Sequence, residues 1–383
     1  MSALNTKRGV KDKTDWAKIK AMPDSAIKFT KDAPRTSPDD WTDAIASRRG
    51  GMLPRVAIAL GDPAGIGPEI ALKAALDPRV TNIARPVLVG DFSALSEHAK
   101  RCGLPLPIDT FTSANEVRWR EGRIPLIARS HFDKAPLEIG QIRPQHGLAA
   151  LDATGTAIRA ALDGHVDAVV AAPQTELAIK QAGVEFDGYP SFVARSTGTR
   201  VDDAFLMLCF DNGGIETRIV HTTLHVGLKR AIELITPERV GRVIQAAHDT
   251  LKRLGIANPK IAVSGLNPHA GEAGMFGDEE QTTIGPAIQA AQAAGIHAEG
   301  PFGADTMYAK PSYDAFIVMV HDQGHIAAKL TAPNRTAGLT IGTPILFSSV
   351  AHGSALDIAG MNKAQAGAIV EAVARLVGVS ISG

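Results

Sequence analysis

Short runs of β-branched and other apolar residues alternate along this chain with longer segments of helical character, and that alternation constrains the fold more than any other feature. Residues 54–60, 86–90 and 166–173 are such runs and predict buried strands, whereas residues 93–102 and 147–163 predict helices. When a helix connects two strands of one sheet, the strands run parallel. The sequence therefore predicts an α/β protein with a mostly parallel sheet covered by helices.

The same alternation continues through the second half of the chain. A turn at residues 212–214 is expected to join strands at 204–209 and 217–220 as a hairpin. With 383 residues, the chain is long enough for one α/β unit of two lobes or for two domains. Further helices are expected at residues 236–254, 282–294 and 363–378.

Residues 1–51 differ from the rest of the chain in composition, because they hold eleven Lys and Arg, seven Asp and no Glu. We expect them to form a mobile N-terminal extension, since chain termini become ordered only when they dock. Two alternatives stay open. The extension wraps a neighbouring subunit through Trp16 and Trp41, or translation starts at Met52, which directly precedes the first predicted strand.

Charge and cysteine content restrict the classes of partner. Lys and Arg number 40 and Asp and Glu number 40, so the net charge favours neither a nucleic acid nor an acidic membrane. No apolar run approaches the roughly 20 residues that span a bilayer, and the polar N-terminus does not match a secretory signal. The two cysteines, Cys102 and Cys209, are too few for a disulfide framework. A cytoplasmic protein is expected.

Three histidines, His225, His269 and His321, lie at or just beyond the ends of predicted strands. In an open α/β sheet, ligands bind at the carboxyl ends of the strands, and three neutral imidazoles there suit a divalent transition metal. A histidine at a strand end is also commonly a hydrogen-bonding or capping residue, and separations of several dozen residues are not a metal motif. The spacing leaves both interpretations open. His221 is not counted as a fourth ligand, because four residues of strand span about 13 Å.

Four segments carry a family likeness: Gly61-Asp-Pro-Ala-Gly-Ile-Gly-Pro-Glu, Gly265-Leu-Asn-Pro-His-Ala-Gly-Glu, Gly300-Pro-Phe-Gly-Ala-Asp-Thr-Met and His321-Asp-Gln-Gly. They resemble signatures of the 4-hydroxythreonine-4-phosphate dehydrogenase family, and the resemblance covers residues 54–380 in order. It implies a homodimer with a two-lobed α/β/α fold of the isocitrate and isopropylmalate dehydrogenase type. Residues 52–180 and 335–383 would form the first lobe. Residues 181–334 would form the second lobe, with the metal ligands and the dimer interface.

The resemblance also implies the cofactors. A divalent metal would be held by His225, His269 and His321 in a site shared between the subunits, with zinc expected and Mn, Co, Fe or Mg as alternatives. NAD is the implied second cofactor. Residues 351–360 are similar to the adenosine-binding loop of decarboxylating dehydrogenases, which assigns cofactor contacts to His352, Gly353, Ser354, Ala355, Asp357 and Ile358.

Substrate-binding positions depart from the family pattern. The family's Gly-His-Thr-Glu motif reads Gly188-Tyr-Pro-Ser here, and the family's substrate-binding Asn and Arg correspond to Gly338 and Phe347. A phosphate dianion requires cationic donors, which Phe347 lacks. Aromatic side chains suit a flat, unsaturated ring instead. Tyr189 either donates its hydroxyl to a substrate carboxylate or packs in the core, and Ser191 is expected to contact the substrate.

Five segments resemble one branch of the family: Gly188-Tyr-Pro-Ser, Phe205-Leu-Met-Leu, Arg218-Ile-Val-His-Thr-Thr-Leu-His, His321-Asp-Gln-Gly-His-Ile and Gly353-Ser-Ala. That branch oxidises a cis-dihydrodiol of a dicarboxylated cyclohexadiene, of the terephthalate type, with loss of CO₂ to a catechol such as protocatechuate. The alternative activity is the oxidative decarboxylation of a phosphorylated hydroxy acid.

Three further polar residues receive roles within this interpretation. Lys329 pairs with a substrate carboxylate or donates a proton, and a surface lysine is the alternative. Asp322 orients a metal-bound histidine or caps a helix, and Asp305 has the same two alternatives. His325, which replaces an apolar residue of the wider family, is expected to reach a substrate carboxylate.

Overall fold

The computed structural model describes residues 52–133, 136–310, 312–332, 336–350 and 352–379, so the expected N-terminal extension lies outside the described residues. Within those ranges, twelve strands form one sheet. The strands are β1 Arg55–Ala59, β2 Arg85–Asp91, β3 Ile108–Phe111, β4 Ile124–Arg129, β5 Ala168–Ala171, β6 Phe205–Asn212, β7 Ile215–His221, β8 Lys260–Ser264, β9 His297–Phe302, β10 Ala315–Val318, β11 Ala337–Ile341 and β12 Phe347–Val350.

The sheet is mostly parallel, and its strand order is β3-β4-β2-β1-β5-β12-β11-β6-β7-β10-β8-β9. Among the described strands, antiparallel pairing is confined to β11 with β12, β11 with β6 and β6 with β7. The last of these pairs is the predicted hairpin. β7, β10 and β8 lie side by side and parallel, so their carboxyl ends share one edge of the sheet. The predicted fold class is confirmed.

Helices bury both faces of the sheet. Along β1, Val56 and Ile58 pack in one apolar cluster while Ala57 and Ala59 pack in another. Burial on two faces explains why the strand is apolar at successive positions instead of alternating. The helices are α1 Gly67–Leu76, α2 Pro78–Thr81, α3 Phe92–Cys102, α4 Pro144–Leu162, α5 Glu176–Gln181, α6 Tyr189–Thr197, α7 Leu228–Leu234, α8 Pro237–Arg253, α9 Gly285–Ala293, α10 His321–Thr331 and α11 Gly367–Val377.

Three predicted helices begin three or four residues away from the expected start, and one of them is α11, which begins at Gly367 instead of residue 363. α4 starts at Pro144 instead of residue 147, because proline suits the first position of a helix. Gly147 lies inside α4 where it contacts α5, and a Cβ atom there would come within 2.5 Å of the backbone nitrogen of Ile179. α9 starts at Gly285 instead of residue 282, because the irregular turn Glu280–Ile284 precedes it.

The strands of residues 52–180 and 335–383 occupy one side of the sheet order, and those of residues 181–334 occupy the other. The sheet continues from one side to the other through the pairing of β11 with β6. The division into two lobes therefore stays a prediction. In the described part of the chain, no helix combines the length and the apolar character needed to cross a membrane.

Candidate active site

Three neighbouring strands bring the predicted metal-binding histidines to one edge of the sheet. His225 lies in the bend that follows β7, and His321 is the first residue of α10, shortly after β10. His269 lies in the turn that follows β8. The prediction that each histidine follows a strand is confirmed.

His225 and His321 face each other within one chain, with ring centres 5.8 Å apart and planes at 45°. Nδ1 of His321 lies 2.8 Å from Oδ1 of Asp322, which leaves Nε2 as the nitrogen available to another partner. With metal–nitrogen bonds of about 2.1 Å, two ring centres that share one cation lie up to roughly 6.5 Å apart. The spacing of the pair therefore fits two ligands of one metal ion. An open cavity of about 520 Å³ adjoins both rings and is lined by residues 223–228, 231 and 320–322.

The turn that carries His269 has a rare backbone conformation. Residues 269–273 all have positive φ, although only Gly271 among them is a glycine. Such conformations cost free energy and persist where surrounding contacts hold them. The buried Glu280 carboxylate accepts hydrogen bonds from the backbone nitrogens of Leu266 and Asn267, both at 2.8 Å. Burial acts to raise the pKa of Glu280, but hydrogen bonds from Asn267 and the backbone outweigh it and lower that pKa.

His269 does not join the other two histidines within one chain. Its side chain is 63% exposed, its Nδ1 lies 3.5 Å from the carboxylate of Glu272, and its ring packs edge-on against Phe276. Asp305 is also exposed. Among the described residues, no three His, Cys, Asp or Glu side chains are arranged to hold a metal ion. One chain thus brings two of the three predicted ligands together, and the assignment of His269 stays a prediction.

One face of α10 carries His321, His325 and Lys329 at intervals of four residues. His325 stacks on His321, with ring centres 3.8 Å apart and planes at 7°. Burial, followed by the proximity of His321, lowers the pKa of His325 to about 4, so its imidazole is neutral at neutral pH. Lys329 is exposed, so both alternatives for its role stay open.

His221 belongs to this cluster, although sequence reasoning set it aside. β7 ends at His221, so the chain is not extended from there to His225 and the distance argument does not apply. His221 is 1% exposed, and its Nε2 lies 3.0 Å from Nδ1 of His325. Burial, followed by the proximity of His325, lowers the pKa of His221 to about 3. A signal for this cluster was present in the sequence, because His221 and His225 have the same four-residue spacing as His321 and His325.

The predicted cofactor loop follows β12 and packs on the glycine-rich loop after β1. The amide of Ile66 donates to the carbonyl oxygen of Ser354 at 2.8 Å, and a Cβ atom on Gly65 would lie 2.6 Å from Ser354. The hydroxyl of Thr175 lies 3.0 Å from Oγ of Ser354 and also donates to the buried Asp62 carboxylate. Of the other predicted cofactor contacts, Gly353 and Asp357 are exposed, and His352, Ala355 and Ile358 are half-buried.

Tyr189 and Phe347 pack against each other, with ring centres 5.2 Å apart. Phe347 is 1% exposed, and the hydroxyl of Tyr189 donates to the carbonyl oxygen of Ala172 at 3.2 Å. Both contacts favour the alternative in which Tyr189 packs in the core. Ser191, two residues along α6, is half-buried.

Comparison with known proteins decides the family. Residues 82–376 match the family described as Pyridoxal phosphate biosynthetic protein PdxA. The chain belongs to the PdxA family. The resemblance to 4-hydroxythreonine-4-phosphate dehydrogenases is thereby confirmed, and the chain is a dehydrogenase of the PdxA family.

Two similar PdxA-family relatives carry different names. The 1,2-dihydroxy-3,5-cyclohexadiene-1,4-dicarboxylate dehydrogenase of Comamonas sp is 40% identical over 322 residues, which cover 84% of this chain and 96% of the relative. A protein of Symbiobacterium thermophilum, named as a D-threonate 4-phosphate dehydrogenase, is 40% identical over 323 residues, which cover 84% and 95%. The crystal structure of a 4-hydroxythreonine-4-phosphate dehydrogenase from Burkholderia phymatum superposes with a TM-score of 0.76 at 32% identity, covering 85% of this chain and 98% of that one.

Proposed function

We propose that this chain is a metal- and NAD-dependent dehydrogenase that oxidises a carboxylated cis-dihydrodiol of the terephthalate type, with decarboxylation to a catechol such as protocatechuate. The observation that carries the proposal is the pair of imidazoles, His225 and His321, which face each other beside an open cavity while Asp322 holds Nδ1 of His321. Their spacing suits two ligands of one cation. A cytoplasmic location belongs to the same proposal.

A bound metal would supply Lewis-acid polarisation of the substrate hydroxyl and of the ketone that replaces it. His225 and His321 would hold the metal, and Asp322 would fix the tautomer of His321. Lys329 and His325, further along the same helix face, would donate N–H groups to substrate carboxylates. The loop at Ser354 would orient the NAD that takes the hydride. Oxidation produces a ketone β to a carboxylate, so loss of CO₂ leaves an enol that is part of an aromatic ring.

A second copy of the chain would complete the metal site. Among the described residues of one chain, the paired histidines have no third ligand, and His269 is exposed on a separate turn. Large apolar side chains are exposed close in sequence to the histidine pair and to His269. Leu228 and Leu330, near the pair, are 65% and 81% exposed, and Met275, near His269, is 73% exposed. Exposed apolar surface beside a site marks an interface. In a two-fold dimer, each copy offers both surfaces to the other.

Mixed dimers test the shared site. His225→Ala, His269→Ala and His321→Ala are each expected to lose turnover and metal binding. When His225→Ala and His269→Ala subunits refold together, half of the dimers carry one intact site, so activity should return to about one quarter of wild type. His225→Ala mixed with His321→Ala is the matched control and should restore nothing. Full activity of His269→Ala alone, or restoration in the control mixture, would contradict the proposed ligand set.

The substrate class rests on Phe347 and Gly338, which leave the corresponding family positions without a cation for a phosphate. The second candidate is the oxidative decarboxylation of a phosphorylated hydroxy acid, such as 4-phosphohydroxy-threonine or a four-carbon sugar acid phosphate. It is supported by the relative from Symbiobacterium thermophilum, whose 40% identity equals that of the relative from Comamonas.

A substrate panel followed by NADH absorbance distinguishes the two candidates. The terephthalate cis-dihydrodiol is expected to react, the phthalate cis-dihydrodiol tests the position of the second carboxylate, and the phosphorylated acids are expected to fail. A chelator should abolish the activity, and Zn²⁺ or Mn²⁺ should restore it. Activity with a phosphorylated acid and none with either diol would reverse the order of the candidates.

A further inference from the structure

The side chain of Gln323, the third residue of α10, joins the ends of two neighbouring strands. Its Oε1 atom accepts hydrogen bonds from the backbone amides of Met319, at 2.8 Å, and Val320, at 3.2 Å. Its Nε2 atom donates to the carbonyl oxygen of Gly265 at 3.1 Å. Because two backbone N–H groups lie at one end of the side-chain amide and a carbonyl oxygen lies at the other, its orientation is determined.

This connection lies beyond the paired part of the two strands. The register of β10 on β8 ends at Ile317 opposite Val263. Gln323 joins backbone groups that follow the end of this register, so the two chain segments stay connected after the strands have separated. Gly265, which accepts its hydrogen bond, leads into the turn that carries His269.

Met319 connects the same point to the bend that carries His225. Its carbonyl oxygen accepts hydrogen bonds from the amide of Thr223, at 3.2 Å, and from the hydroxyl of Thr223, at 2.8 Å. Thr223 is 2% exposed and precedes His225 by two residues. The backbone of Met319 therefore contacts the His225 bend through its carbonyl oxygen and, through Gln323, is joined to the His269 turn.

We propose that Gln323 is a positioning residue that fixes His321 in the metal site of its own subunit and His269 in the metal site of the other subunit. The proposal rests on the proposed function, in which each site combines the histidine pair of one subunit with His269 of the second. Metal–ligand distances vary by only about 0.2 Å, so a ligand that shifts further binds more weakly. Loss of a group that holds a ligand in place lowers metal affinity by about 10- to 100-fold.

Zinc binding to hybrid dimers of the full-length chain tests the proposal. A His269→Ala subunit donates the histidine pair and a His225→Ala subunit donates the turn, so each hybrid has one complete site. Two different affinity tags separate the hybrids from the homodimers, and competition with a chromophoric chelator measures the Zn²⁺ dissociation constant without turnover. Gln323→Met, which removes both the acceptor and the donor, is placed in one subunit at a time. We expect it to raise the dissociation constant about tenfold from either subunit.

The two placements distinguish positioning of both sites from a local role. If only the pair-donating subunit is sensitive, Gln323 serves the start of α10 alone, and that result overturns the inference. Gln323→Glu is the second variant if methionine prevents folding, because it keeps an acceptor for the two amides and removes the donor to Gly265. Placed in the turn-donating subunit, it should raise the dissociation constant, and an unchanged value there also overturns the inference.

Gln292→Met is the matched control. Its amide donates to the carbonyl oxygen of Ala298 at 2.7 Å, near the amino end of β9, whereas the proposed metal ligands lie at the carboxyl ends of the strands. The dissociation constant should not change in this variant.

The hybrid with an unchanged Gln323 separates this inference from the proposed function. If that hybrid binds no zinc, the shared metal site is wrong and the inference fails with it. If it binds zinc and Gln323→Met weakens the binding from neither subunit, Gln323 has no positioning role and the proposed ligand set stands.

Discussion

Replacing Gly65 with alanine would force apart the two loops at the predicted cofactor site. The added Cβ atom would lie 2.6 Å from both Cβ and the carbonyl oxygen of Ser354. Ordinary contacts between such atoms begin at about 3.5 Å, so the loops must separate by about 1 Å. The hydrogen bond from Ile66 to Ser354, now 2.8 Å long, would then exceed the limit of a hydrogen bond.

The cost follows from these two effects. Overpacking of this kind costs about 1–3 kcal/mol, and the loss of a buried hydrogen bond costs about 1–3 kcal/mol. We therefore expect Gly65→Ala to lower the free energy of unfolding in urea by about 2–6 kcal/mol. Binding of NAD, the proposed cofactor, should also weaken because the proposed cofactor loop at Ser354 is displaced; calorimetry on the folded variant measures this.

Gly155→Ala is the matched control for the Gly65 experiment. Gly155 lies within α4, and the nearest atom to an added Cβ is the flexible guanidinium of Arg159 at 3.6 Å. Alanine there should leave stability unchanged or raise it by up to about 1 kcal/mol, since glycine weakens a helix interior. A Gly65→Ala protein that is as stable as the control and binds NAD normally would refute the argument from loop contact.

Two further predictions concern buried or partly buried carboxylates. Glu280→Gln should lower the free energy of unfolding by about 1–3 kcal/mol, because a neutral amide replaces the charged acceptor of two backbone N–H groups beside the His269 turn. Urea unfolding measures this change, and an unchanged midpoint would contradict the prediction. The hydrogen bond with His131, followed by those from Arg129, lowers the pKa of Asp152 from 3.8 to about 2. A carboxyl group whose pKa is lowered by folding stabilises the fold at pH values above its pKa in the unfolded chain. This stabilisation is lost as the pH falls toward 2. Asp152→Asn should therefore lower the free energy of unfolding by about 1–2 kcal/mol at pH 6 and by less at pH 3. A decrease that does not depend on pH would show that the charge of Asp152 is not its cause.

Local patterns in the sequence predicted β1, β2, β5 and the hairpin of β6 and β7, whereas β3, β4 and β9 were not predicted. The apolar run that became β1 and the glycine turn between β6 and β7 depend on neighbouring residues, so periodicity and turn chemistry reveal them. The positions of His225, His269 and His321 beyond strand ends follow from the same patterns. For that reason, the fold class and the edge of the sheet that carries the candidate site could be predicted from the sequence.

Contacts between distant segments were not accessible in that way. The bond between His221 and His325 exists because β7 pairs with β10 and because Gly324 admits the helix onto the strand end. The exposure of His269 depends on a positive-φ turn held by Glu280, a conformation that its non-glycine residues do not suggest. Sequence alone determined which elements form and which residues follow them, since these depend on local free energies. Only the tertiary structure decided which side chains meet, because strand pairing and helix packing join residues about a hundred positions apart.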